Sequence, residues 1–307
     1  MAQARLVFPL VPRWAVIGVS YGTMRSLRRG AGSDVAGSRP YRPGDDVHAI
    51  DWAASARLST ARGADEFVVR ERYAEEAPRV VVVCDRRPAM ACYRPPLPWL
   101  DTPRALRSVV ELVLTSAAAA GGFVGYLDHA DGELWWRPPQ GERKLLRLEN
   151  ARVASSEFRA PDDWLARAFE HLTLEGSSLP AGTFVFCVSD FIPAPSEDVW
   201  LAALEQRWDV VPVVVQDPTW EQSFPDVHGI VVSLRDPASG RVAPIRLTRR
   251  EASARRAANE ERLAVLLAGL RRLDLDPILV SSSEPSDILG AFLAWSDLRR
   301  ARRSLRG

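Results

Sequence analysis

Three acidic positions stand where oxygen chemistry would be placed. Asp85 closes the run Arg79-Val80-Val81-Val82-Val83-Cys84, Asp190 follows Ser189 at the end of the apolar run from Thr183, and Asp217 lies just beyond Trp208 to Val215. Carboxylates gathered from separate loops, with a hydroxyl among them, are donors for a hard divalent cation. Two carboxylates in one cleft are also candidates for holding a metal or acting as a base in hydrolysis. Arg86 and Arg87 follow Asp85 directly and bring the opposite sign into the same loop.

Each of those residues needs an element to hold it. The β-branched runs read as buried parallel strands, and segments with helical spacing alternate with them: 103–120, 161–172, 196–207, 249–273 and 285–303, with further strands at 122–127 and 276–281. Strand–helix alternation implies right-handed crossovers and an α/β fold, a doubly wound, mostly parallel sheet of Rossmann-like topology covered on both faces. Ligands of such sheets bind beyond the carboxyl ends of the strands, where Asp85, Ser189, Asp190 and Asp217 are expected to converge. An Asp-Pro-Ala-Ser-Gly turn at 236–240 marks a hairpin insertion near 225–247.

Upstream, residues 1–40 mix Gly, Ser and six arginines against Asp34, and read as an irregular basic arm. Residues 41–77 read as a small β-containing lobe, with a strand over 66–70, and residues 78–307 as the main domain. The lobe carries Tyr41-Arg42-Pro43-Gly44-Asp45-Asp46, then Ile50-Asp51-Trp52, Arg57 and Arg70. One reading is a partner-binding or phosphate-sensing patch. The structural reading is a turn in which Asp45 or Asp46 caps backbone amides, Trp52 packs in the core, and Arg57 or Arg70 pairs with an aspartate.

The run from Tyr41 to Trp52, followed by Ser55-Ala56-Arg57, closely resembles the signature of the DUF58 family. Phe67 to Arg72, the strand ending at Asp85, Val188-Ser189-Asp190-Phe191 and Asp209 to Pro218 fall in that family's order, so the resemblance covers about residues 40–240. It implies a von Willebrand factor A-like domain that works by binding proteins, as partner of a MoxR-type AAA+ ATPase in protein assembly or maturation. It also implies a place for Mg²⁺, held by Asp-x-Ser-x-Ser, a threonine and an aspartate. Here the two serine positions hold Arg87 and Ala89, no threonine stands in the expected setting near 155–161, and Asp190 is kept. Two guanidiniums beside a cation cost several kcal/mol at intermediate dielectric. No cofactor is therefore expected, and Arg87 or Arg86 is expected to pair with Asp85 and Asp190. The alternative leaves the arginines in solvent beside a vestigial site.

Bulk properties narrow the classes. Forty basic and 39 acidic residues leave a formal charge of +1, which gives no overall field for nucleic acid. Cys84, Cys92 and Cys187 are odd in number and Cys84 and Cys187 lie in apolar runs, as suits a reducing compartment. The apolar stretch from Leu6 to Val19 is interrupted by Pro9, Pro12 and Arg13 and falls short of a membrane span. A cytoplasmic protein is expected. The four histidines show no ligand spacing and no nucleophile motif is present. The ten tryptophans read mainly as core, and Arg299, Arg300, Arg302, Arg303 and Arg306 as a solvated basic helix end. Two functions follow: a non-enzymatic interaction module, or a metal-dependent hydrolase or phosphatase-like enzyme built on Asp85 and Asp190.

Overall fold

The computed structural model describes residues 6–13, 24–41, 50–62, 67–92, 100–141, 152–154, 157–174, 179–235 and 239–304. It divides into two compact units, one of residues 1–13 with 79–307 and one of residues 14–78.

In the smaller unit, β1 (Met24–Pro40) pairs antiparallel with β2 (Val68–Glu76), from Met24 opposite Glu76 to Pro40 opposite Val68, with three register shifts. Between them lies helix α1 (Trp52–Arg62), whose first turn is capped by Asp51: Oδ1 accepts the Ala54 N–H at 3.0 Å. Ser55 Oγ accepts the Val68 N–H at 2.9 Å and so ties α1 to β2. Residues 24–40 are thus a strand, where the sequence reads as part of an irregular arm. The reason is that β1 has no alternation of its own and gains its order from hydrogen bonds to a partner strand nearly thirty residues or more away.

The larger unit is built on a six-stranded sheet. In chain order its elements are β3 (Arg79–Cys84), a 3₁₀ turn over Pro88–Ala91, α2 (Thr102–Ala119), β4 (Phe123–Asp128), β5 (Trp135–Gln140), α3 (Trp164–Leu174), β6 (Phe184–Ser189), α4 (Glu197–Glu205) and β7 (Asp209–Val215). There follow the hairpin β8 (Ile230–Arg235) and β9 (Val242–Leu247), then α5 (Arg249–Arg272), β10 (Ile278–Val280) and α6 (Pro285–Ser304). The strand order is β10-β7-β6-β3-β4-β5, the doubly wound 3-2-1-4-5-6 order, parallel except for β5.

The all-apolar strands follow from burial on both faces. Val81, Val83, Val185, Cys187, Val210 and Val214 pack in one core with Trp164, Phe169, Trp200, Leu266 and Leu270 from α3, α4 and α5. Strand alternation sends Val80 and Val82, also fully buried, to the opposite face. Strand β5 escapes the sequence reading because Pro138 and Pro139 break its pattern; an edge position tolerates prolines that donate no ladder bond. Opposite it, Gly125 leaves no room for a side chain, as a Cβ there would lie 2.8 Å from the Arg137 carbonyl oxygen.

Two further readings need correction. Residues 6–13 belong to the larger unit, with Phe8 and Val11 buried in it. The arginine-rich end of α6 is not wholly a solvated face. Arg299 is 2% exposed, donates to Asp209 Oδ2 and Asp276 Oδ2 at 2.9 Å each, and lies over the Trp295 ring at 4.4 Å. Its partners lie 23 or more residues away in the chain, beyond the reach of helical spacing arguments.

Candidate functional site

Strands β3 and β6 are neighbours in register, with Cys84 opposite Val188, and the Asp85 N–H extends their ladder to the Val188 carbonyl at 2.9 Å. Asp85 and Ser189 therefore leave the sheet side by side, at the point where the strand order reverses. Ser189 Oγ donates to Asp85 Oδ2 at 2.6 Å and accepts the Phe191 N–H at 2.9 Å. That second bond belongs to a turn in which Phe191 is held at φ +50°, a left-handed backbone that a bulky side chain seldom adopts.

Arg87 fills the space between the two loops. Its Nε donates to both Asp85 oxygens at 3.1 and 3.0 Å, its Nη2 to Asp85 Oδ2 at 2.6 Å and Asp190 Oδ1 at 2.7 Å, and its Nη1 to the Ile192 carbonyl at 2.9 Å. Asp190 Oδ1 also accepts the Ile192 N–H at 2.8 Å. Asp85 is fully buried, and Arg87 and Asp190 nearly so. Burial opposes the charge on Arg87, but the hydrogen bonds and charges of Asp85 and Asp190 outweigh it and raise its pKa further. With two carboxylates and one guanidinium the group carries an excess of negative charge. Burial first, and the Asp85 charge second, push Asp190 up to about 6 against the pull of Arg87.

Of the six residues singled out at the strand ends, the structure brings four together: Asp85, Arg87, Ser189 and Asp190. Arg86 turns elsewhere, donating to the Val153 carbonyl at 3.3 Å with its guanidinium 4.2 Å from the centre of the Phe158 ring. Asp217 is buried but serves the backbone: Oδ1 accepts the Thr219 and Trp220 amides at 2.7 and 2.9 Å, and Oδ2 the Leu100 amide at 2.7 Å. Gln216, which the sequence reading passed over, links the two regions by donating from Nε2 to the Asp190 carbonyl at 2.6 Å. Glu221 was missed as well. It accepts the Asp217 N–H at 2.6 Å, and burial raises it to about 7 against that bond. Asp128 is the last residue of β4, as Asp85 is the first beyond β3, and it pairs with Arg152 at 2.9 Å while accepting from the Tyr126 hydroxyl at 3.0 Å. The strand-then-aspartate pattern would have found it had the strand been extended by one residue.

A divalent cation does not fit the Asp85 and Asp190 oxygens as they stand. The guanidinium of Arg87 already lies 2.6–2.7 Å from both carboxylates, so an ion on the same oxygens would face a positive charge at contact distance. Among the described residues, no group of three or more His, Cys, Asp or Glu side chains is placed to hold a metal.

In the smaller unit the signature residues are only partly visible. Arg42, Pro43, Gly44, Asp45 and Asp46 lie outside the described residues, and Arg70 is described only as part of β2, opposite Ser38. Ile50 bridges to Val69, Asp51 caps α1, and Arg57 Nε donates to the Ala53 carbonyl at 3.1 Å. Trp52 is 63% exposed, which corrects its reading as a core residue. Its indole stands edge-on to Phe67 at 6.0 Å, and Phe67 in turn to Tyr41 at 6.5 Å.

A family model described as "Protein of unknown function DUF58" matches residues 37–264. The chain belongs to the DUF58 family. A curated relative of this DUF58 chain, the uncharacterized protein Rv1480 of Mycobacterium tuberculosis, is 28% identical over 250 residues, covering 78% of the chain and 72% of the relative. Similar solved structures include a von Willebrand factor type A protein from Catenulispora acidiphila, 10% identical, covering 74% of this chain and 43% of that one at TM-score 0.38. Another is an aerotolerance-related membrane protein from Bacteroides fragilis, 12% identical, covering 72% of this chain and 99% of that one at TM-score 0.42. The Bacteroides fragilis protein is described as a membrane protein, so the cytoplasmic expectation is not kept; a likeness at this level places this chain in no compartment. That expectation rested on an odd number of cysteines and a broken apolar run, neither of which fixes a compartment. Among the described residues, no helix is long and apolar enough to cross a membrane.

Proposed function

We propose that this DUF58 chain is a non-enzymatic interaction module, an adaptor or client-binding partner of a MoxR-type AAA+ ATPase in protein assembly or maturation, in which Arg87 stands where a metal ion would otherwise join two loops. The observation that carries the reading is the Arg87 guanidinium bonded at once to Asp85 and Asp190. A fixed organic cation neutralises the carboxylates and holds the β3 and β6 loops together, but it offers no open coordination position. Binding then depends on loop shape and not on ion exchange. The ATPase partner is proposed from family membership.

Calorimetric titration of the full chain with Mg²⁺ is expected to give no stoichiometric heat, and a complex with a purified MoxR-type ATPase is expected to survive chelator. Tight stoichiometric Mg²⁺ binding sinks the replacement of metal by Arg87. Failure of such ATPases to bind sinks the partner assignment separately. The hydrolase reading has one observation in its favour, the raised pKa of Asp190, which suits an acid or base near neutral pH. Turnover of a model ester or phosphoester by the wild type that disappears in Asp190→Ala would establish it.

A further inference from the structure

We propose that Leu6–Arg13 is an intramolecular peptide ligand: a strap seated in a groove of the larger unit, able to leave as a piece while the sheet stays folded. This site is separate from Arg87 and its partners and does not depend on the function proposed above.

The strap is held as peptides are held in recognition grooves. Its described hydrogen bonds to the rest of the unit run through receptor side chains. The Phe8 N–H donates to Ser116 Oγ at 3.1 Å, Ser296 Oγ donates to the Pro9 carbonyl at 2.7 Å, Arg299 Nη1 donates to the Val11 carbonyl at 3.1 Å, and the Arg13 N–H donates to Asp209 Oδ2 at 2.9 Å. The Arg13 guanidinium adds an ion pair to Asp274 at 2.7 Å. Pro9 and Pro12 bring no N–H that needs a partner and pre-set their backbone, so ordering the segment is less costly than for a flexible chain.

The receptor is built without the strap. The Phe8 ring sits 4.7 Å from Phe292, 6.0 Å from Trp295 and 6.3 Å from Phe186. Those three rings also pack on one another, Phe186 lying 6.2 Å from Phe292 and 5.9 Å from Trp295. Arg299 reaches Asp209 and Asp276 as well as the Val11 carbonyl, so two of its partners lie outside the strap. The fit is also incomplete: Asp209 Oδ1, Arg299 Nη2 and Trp295 Nε1 are buried without a hydrogen-bond partner among the described residues. Buried polar atoms left unpaired subtract from what holds the site closed. A preformed pocket for one aromatic ring, donors for alternate carbonyls and an acidic end for arginine define the ligand: an extended peptide of the pattern Phe-Pro-x-Val-Pro-Arg.

The strap carries its own reporter, because Val11-Pro12-Arg13 is a substrate sequence for a serine protease selective for Val-Pro-Arg. Cutting after Arg13 requires its side chain to leave Asp274 and enter the protease. The full chain is treated under native conditions across a urea series, and the product beginning at Trp14 is followed by mass. Cutting should proceed with little dependence on urea below the unfolding transition, the signature of local opening. The released piece should then exchange with an isotope-labelled synthetic Leu6–Arg13 peptide while the circular dichroism is unchanged. Ser296→Ala, which removes one receptor bond, should speed cutting several-fold, and Phe8→Ala about tenfold or more. Cutting that appears only with the urea dependence of global unfolding, or loss of the dichroism as the piece departs, would show the strap to be part of the core and overturn the proposal.

Discussion

At the carboxyl edge of the sheet one arginine serves two carboxylates, whereas at the amino edge two arginines do. Arg87 joins Asp85 to Asp190, and the surplus negative charge helps push Asp190 up to about 6. At the other end Arg299 joins Asp209 to Asp276, Arg302 adds a second bond to Asp276, and a backbone segment completes the network through Arg13 and Val11. Both are buried ion groups, yet they differ in what they can tolerate. Among the described residues the first group shows no second arginine bonded to its carboxylates, and its charge balance changes with a single proton; the second has two arginines on Asp276 and bonds a backbone segment as well.

The contrast predicts an order of effects. Arg87→Ala strands two buried carboxylates and should cost about 3–5 kcal/mol in urea unfolding. Arg299→Ala should cost less, about 2–3 kcal/mol, because Arg302 remains on Asp276. The reverse order would break the comparison. Arg87→Ser restores a hydroxyl at the loop position and removes the competing charge. Its stability should then rise with Mg²⁺, by about 1.4 kcal/mol at ten times the dissociation constant, while the wild type stays flat.

Asp190 sharpens the comparison through pH. Its folded pKa lies above the ordinary 3.8, at about 6, so between those values the native chain keeps a proton that the unfolded chain has released. The stability it contributes is fully present below about pH 4 and falls as pH rises toward 6, with a slope of at most about 1.4 kcal/mol per pH unit. Unfolding of Asp190→Asn measured across that window should show a shallower slope, the remainder belonging to Glu221, which burial raises to about 7; an unchanged slope would assign none of it to Asp190. The smallest effect is a control distant from both ends. Thr248 accepts the Glu251 N–H in a capping box at the start of α5, and Thr248→Ala should cost about 1 kcal/mol with no change in Mg²⁺ dependence.

The two ends were not equally legible. The carboxyl edge could be read because parallel strands buried on both faces are continuous apolar runs, and a polar residue that ends such a run must sit at the rim. This placed Asp85, Ser189 and Asp190 together from local pattern alone. The same pattern misjudged Asp217, since a rim aspartate can equally cap the amides of its own loop, as Asp217 does for Thr219 and Trp220. It also could not choose between Arg86 and Arg87, adjacent residues that the backbone sends in different directions. The amino edge was invisible, because Arg13, Asp209, Asp276 and Arg299 share no spacing. Strand β1 was equally hidden, its order coming from β2.

Composition and periodicity by themselves determined the α/β class, the strand carrying each rim residue and the presence of an arginine beside the first carboxylate. Those properties depend on hydrophobic burial and on near neighbours in the chain. Which guanidinium bridges the loops, the direction in which Asp190 is shifted, and that residues 6–13 pack into the larger unit were decided only by the tertiary structure. Each depends on desolvation and on charges brought together from distant parts of the chain, and short-range sequence pattern carries no information about such distances.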